Sequence, residues 1–149
     1  MQLWLGEDGG GSVLDVDNIP NWNMIWLRIM WQIEPTTGWE RDQKHYAKKR
    51  PNELAAVMRN LDRYIKLLNV SKNSKAVQAG YLHTEQSGVL AVDQRGGGGN
   101  LQETRLYTYA DDETKTVYLI AIGDKDAQHA DVEYSKEFVR TYKNRAETQ

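Results

Sequence analysis

The sequence predicts an α+β domain: a small antiparallel sheet with two helices lying across one face and a further helix at the C-terminal end. Three observations carry that reading. From Leu27 to Glu34 apolar and polar residues alternate with period two, as in a half-buried strand. From Trp39 to Leu68 the apolar spacing is helical and is interrupted once, at Pro51. From Tyr81 to Ile122 short β-rich runs return, bounded by Gly, Ser and Asp clusters.

The elements follow in order. Residues 1–23 carry the linker-like tract Gly9-Gly10-Gly11-Ser12 and the breakers Asn18, Pro20 and Asn21, and read as a flexible extension ahead of a domain over 24–145. In the first strand Leu27, Ile29, Trp31 and Ile33 share one face, and Pro35 ends it. Thr37-Gly-Trp-Glu40 fits a capping box, in which a hydroxyl and a carboxylate satisfy free amides at a helix start. That helix is expected to run to about Arg50, where Pro51 disfavours helical backbone. The second helix places Leu54, Val57, Leu61, Tyr64, Ile65 and Leu68 on one buried face.

Tyr81–Glu85 and Val89–Gln94 read as strands joined through Gln86-Ser87-Gly88. Glycines 96–99 are expected to be a mobile connection; they lack the Gly-Lys-Ser/Thr ending of a phosphate loop. Arg105–Ala110 and Thr116–Ile122 form a second hairpin around Asp111-Asp112-Glu113, and the nearly apolar second run is expected to be covered on both faces. A final helix should begin near Asp126, with Ala130, Tyr134, Phe138 and Tyr142 stacked four apart.

Composition narrows the function classes. With no cysteine among 149 residues, disulfides, thiolate catalysis and Cys-ligated zinc are excluded. His45, His83 and His129 show no metal-ligand spacing, so no metal or other cofactor is expected. No apolar run approaches the roughly 20 residues of a membrane span, and no basic, apolar leader opens the chain, so the expectation is a cytoplasmic protein without a membrane partner. The net charge of −2 conceals an asymmetry: residues 36–75 hold ten Lys/Arg against four Asp/Glu. Basic charge on one segment suits an anionic partner or a solvated helix face.

The strands gather a polar cluster. His83 and Glu85 share one strand face, as do Arg105, Tyr107 and Tyr109. Lys125 follows the apolar strand, with Gln128 and Asp131 in the first turns of the last helix. Such groups suit metal-free RNA cleavage, in which one takes the 2′-hydroxyl proton, cations neutralise the phosphorane and an acid protonates the leaving oxygen. Each also has a structural reading. His83 fits a hydrogen-bonded edge residue, Arg105 an ion pair with Glu85 or Asp124, the tyrosines a sheet surface, and Lys125 a neutraliser of Asp124 or Asp131.

The segments KKRPNELAAVMRNLDRYIKLL, GYLHTEQSGVLAVDQ, ETRLYTY and IGDKDAQHADVEYSKEFV occur in this order across about two-thirds of the chain. In that combination the chain resembles the RelE/ParE superfamily of bacterial type II toxins, in particular its phage-derived RelE-like branch. The resemblance implies a toxin held inactive by a cognate antitoxin protein. RelE-like members cut mRNA on the ribosome without a metal; ParE-like members poison DNA gyrase instead. A third possibility is an inactive member that serves as a protein-binding or co-repressor domain.

Carried onto this sequence, the resemblance implies that Arg105 holds the scissile phosphate and that Lys125 supplies charge or acts as base. His83 joins them, and Tyr134 or Tyr142 is the acid or a base-stacking group. Arg41, Lys44, Lys48, Lys49 and Arg95 would face RNA or the ribosome, with Glu85, Tyr107, Gln128 and Asp131 in support.

Overall fold

The computed structural model describes residues 2–5, 12–15 and 30–148. The chain divides into two units, Met1–Met30 and Trp31–Gln149. In the first, strands β1 (Gln2–Leu5) and β2 (Ser12–Asp15) pair antiparallel, so part of the expected flexible lead-in is ordered as strand. The Gly9–Gly11 tract, Asn18, Pro20, Asn21, Leu27 and Ile29 lie outside the described residues.

The second unit runs β3 (Gln32–Pro35), α1 (Thr37–Lys49), α2 (Pro51–Asn69), β4 (Leu82–Thr84), β5 (Val89–Asp93), β6 (Thr104–Asp111), β7 (Thr116–Asp124) and α3 (Gln128–Glu147). This is the expected α+β order. The five strands pair as β3-β7-β6-β5-β4. All neighbours are antiparallel except β3 and β7, which run parallel, so the sheet is mixed rather than wholly antiparallel. The two-helix crossover from β3 makes this possible, since a parallel pair needs a long connection and a hairpin turn cannot supply one.

Alternation along the strands splits the core into two layers. Leu106, Val117, Leu119 and Ile122 face α1 and α2, where Trp39, Tyr46, Val57, Leu61, Tyr64 and Leu68 meet them. Tyr107, Ile120 and Ala121 face the other way, against Val139, Val132 and Phe138 of α3. The apolar β7 is therefore covered on both faces, as its composition predicts. An irregularity opposite Tyr107 and Thr108 leaves Ile120 unpaired, and Ile120 and Ala121 both turn toward α3.

Four local expectations are corrected. β3 is an exposed edge strand: Trp31 is buried but Ile33 is 44 % exposed, because β3 has one sheet neighbour and neither core layer takes Ile33 in. The cap of α1 is Thr36, one residue before the expected Thr37, and its hydroxyl donates to Ile120 O at 3.3 Å and accepts from no helix amide. On α3 the buried residues are Ser135 and Val139, while Ala130 and Tyr134 of the expected stack are exposed.

The fourth correction concerns the glycine run, which is a defined turn. Gly96, Gly98 and Gly99 have positive φ, and a Cβ at Gly97 would lie 2.6 Å from the Ala56 Cβ.

Pro51 separates α1 from α2, with Arg50 at φ −139 and ψ 61, outside the helical region. One buried polar side chain then fixes α2 to the sheet. Asn60 donates to Asp93 O and Arg95 O, both at 2.9 Å. Asn60→Ala leaves both carbonyls without that donor and is expected to cost about 2 kcal/mol, read as a lower urea unfolding midpoint. An unchanged midpoint would show that other groups replace Asn60.

Candidate active site

Two polar groupings arise from this fold. The first lies on the sheet face turned toward α3, near the β4 edge. The ladder sets Asp93 opposite Arg105 and His83 opposite Ala91, so these side chains share a face. His83 Nε2 donates to Asp93 Oδ2 at 2.6 Å, and Arg95 N donates to Asp93 Oδ1 at 2.8 Å. Arg95 also bonds Asp93 through Nε and donates to Gly80 O at 2.8 Å.

Arg105 is gripped by two carboxylates, Glu85 at 3.1 Å and Glu103 at 3.3 Å, and is only 19 % exposed. The pairing with Glu85 is one of the structural readings the sequence left open. Tyr107 is fully buried, and burial raises its hydroxyl pKa. This grouping is charge-compensated: the two terminal nitrogens of Arg105 each face a carboxylate, while its buried Nε has no hydrogen-bond partner among the described residues.

The second grouping is a cleft of about 500 Å³ between α1 and the junction of β7 with α3. Arg41, His45 and Lys49 stand four residues apart and so share one face of α1. Asp42, Tyr46 and Arg50 complete that wall; Gly123, Asp124 and Asp131 form the opposite one. Lys49 and Arg50 enter no ion pair among the described residues.

Glycine at 123 is what admits the carboxyl of Asp131. A Cβ there would lie 1.9 Å from Asp131 Oδ2, an oxygen that is buried and accepts no hydrogen bond from the described residues. Burial, reinforced by the negative charges of Asp42 and Asp124, pushes Asp131 up to about 6, while Arg41 acts in the opposite sense. The other two carboxylates have fold contacts: Asp42 pairs with Arg41 at 3.1 Å, and Asp124 accepts from Ala127 N at 3.0 Å.

The remaining expected residues fall around these groupings. Lys125 is exposed in the turn after β7, two positions past Gly123, the ladder partner of Arg105. Lys44 and Lys48 are exposed on α1 outside the cleft lining. Gln128 opens α3, its amide donating to Lys125 O. Tyr134 is 42 % exposed, with the Arg41 guanidinium 5.9 Å from its ring centre. Tyr142 donates to Asp111 and accepts from Tyr118, so its hydroxyl is held within the fold.

Sequence reasoning missed His45, Tyr46, Arg50, Asp124, Asp93 and Glu103. The four-residue spacing of Arg41, His45 and Lys49 was a usable signal; the opposing wall was not, because it comes from distant chain. Among the described residues no cluster of His, Asp and Glu could hold a metal ion, and no helix is long and apolar enough to cross a membrane.

The raised pKa gives a sign to stability. The protonated form of Asp131 suits the fold, and its stabilising contribution is full below the unfolded value near 4 and lost as pH rises through about 6. Asp131→Asn is therefore expected to stabilise the chain at neutral pH by on the order of 1 kcal/mol, after discounting for solvent screening, and to change little at about pH 4. Urea unfolding at the two pH values reads the difference, and an equal effect at both would contradict the assignment. Comparison of the chain with protein-family models, with curated proteins and with solved structures finds no match in any of the three.

Proposed function

We propose that this protein is the toxin of a toxin–antitoxin pair, a metal-independent RNA endonuclease that cuts mRNA on the ribosome and is held inactive by its antitoxin. The cleft between α1 and the β7–α3 junction is its phosphate site. The observation that carries the reading is the makeup of that cleft: Lys49 and Arg50, with no ion-pair partner among the described residues, beside a carboxyl whose pKa burial raises to about 6. Unpaired cations favour a phosphodiester, and a carboxyl tuned toward neutrality can exchange its proton.

This reading moves the centre of the site away from Arg105 and Lys125. A phosphate at Arg105 would have to displace Glu85 or Glu103 from a guanidinium that is only 19 % exposed. The same compensation favours a second reading, a gyrase poison or binding module that cuts no RNA.

Induced expression in a bacterium separates them. The intact chain is expected to arrest growth with cleaved mRNA, and Lys49→Gln/Arg50→Gln to relieve the arrest. RNA affinity should fall about tenfold or more, with a shallower salt dependence. Arg105→Ala/Lys125→Ala tests the sequence-derived pair in the same assay. Arrested replication with intact transcripts would overturn the nuclease reading and support the gyrase one.

A further inference from the structure

We propose that Asp131 and His45, on opposite walls of the cleft, are the general base and general acid of RNA transesterification; this rests on the nuclease reading above. The Asp131 carboxylate takes the proton of a ribose 2′-hydroxyl, and the freed oxygen attacks phosphorus. The bond from phosphorus to the 5′-oxygen breaks with its electron pair on that oxygen, which takes a proton from the His45 imidazolium. The products are a 2′,3′-cyclic phosphate and a 5′-hydroxyl end. One proton is taken and one given, and exchange with water restores both groups.

The assignment comes from which side chains are free. Three carboxylates line the cleft. Asp42 is paired with the neighbouring Arg41, and Asp124 accepts from the amide of Ala127. Asp131 enters no ion pair among the described residues and retains acceptor capacity, and glycine at 123 seats it against the strand.

Of the four basic side chains, Arg41 is committed to Asp42 and to the Tyr134 ring. Lys49 and Arg50 supply fixed positive charge to the phosphorane. His45 is the one imidazole in the lining, is exposed and is bound to no other described side chain. Imidazole is the side chain suited to giving up a proton near neutrality.

The titration of Asp131 supports the division of roles. Arg41, Asp42, His45, Tyr46 and Lys49 border the cleft from α1, Arg50 from the α1–α2 junction and Asp124 from β7, while Tyr107 of β6 interacts with Asp131 from the sheet. Burial first, then the charges of Asp42 and Asp124, against the opposing pull of Arg41, put the carboxyl at about 6, ionised at neutral pH and still basic enough to accept a proton.

The test uses the full chain with ribosomes carrying a defined mRNA, measuring cleavage rate and end chemistry from about pH 5 to about pH 8. The intact chain should yield 5′-hydroxyl and cyclic phosphate ends at a rate rising through about pH 6. Asp131→Asn should lower kcat by about 100-fold or more and abolish that rise, with KM little changed. His45→Gln should lower kcat comparably, again with KM little changed.

Wild-type rates and pH profiles in both variants would overturn the pair while leaving the nuclease reading intact. No cleavage by the intact chain would overturn both. Should Asp131→Asn fail to fold, the exposed His45→Gln and the acidic limb of the intact chain decide the matter.

Discussion

Burial of the β6–β7 ladder on both faces is the constraint from which the rest of the second unit follows. Leu106, Val117, Leu119 and Ile122 look to α1 and α2, and Tyr107, Ile120 and Ala121 look to α3. Each large side chain removed from water contributes about 1.5–3 kcal/mol, whereas an exposed ion pair contributes about 0–1 kcal/mol. Apolar packing therefore sets where the helices lie, and the charged groups take the positions that result. One such position lies at the C-terminal end of β7, where α1 from one face meets the start of α3 from the other. The cleft is a product of that layering.

Charge compensation decides which polar side chains remain available. Arg105 looks like an anion-binding residue, yet two carboxylates surround it. His83 is likewise joined to Asp93, which also holds Arg95. These contacts tie the sheet edge together across β4, β5 and β6 and leave little free charge. Lys49 and Arg50 are different, since no carboxylate among the described residues pairs with them. In the first grouping the partners are fold contacts; in the second a ligand can supply them.

Asp131 is a carboxyl whose charge works against the fold. A carboxyl beside two other acids, with one oxygen buried against a glycine, costs stability when ionised. Such costs are expected to gather at functional sites, where local rules of stability give way to chemistry. Gly123 is part of the same arrangement. Its small size lets the helix bring a carboxyl onto the strand backbone, and any side chain there would expel it.

Much of the fold was legible because periodicity and backbone chemistry are local. Pro51 marked the break between α1 and α2, the helical spacing gave the buried face of α2, and the apolar run of β7 implied cover on both sides. The exposed β3, the stripe on α3 and the turn at Gly97 were not legible, because each depends on what a distant segment places beside it. For the site, the sequence by itself determined the residue types: an excess of cations on the first helix, and acids around the β7–α3 turn. Only the tertiary structure decided that Glu85 and Glu103 pair with Arg105 while Lys49, Arg50 and Asp131 enter no ion pair among the described residues. Pairing of charges is settled by distances of a few ångströms between strands and helices far apart in the chain, and sequence spacing carries no measure of that.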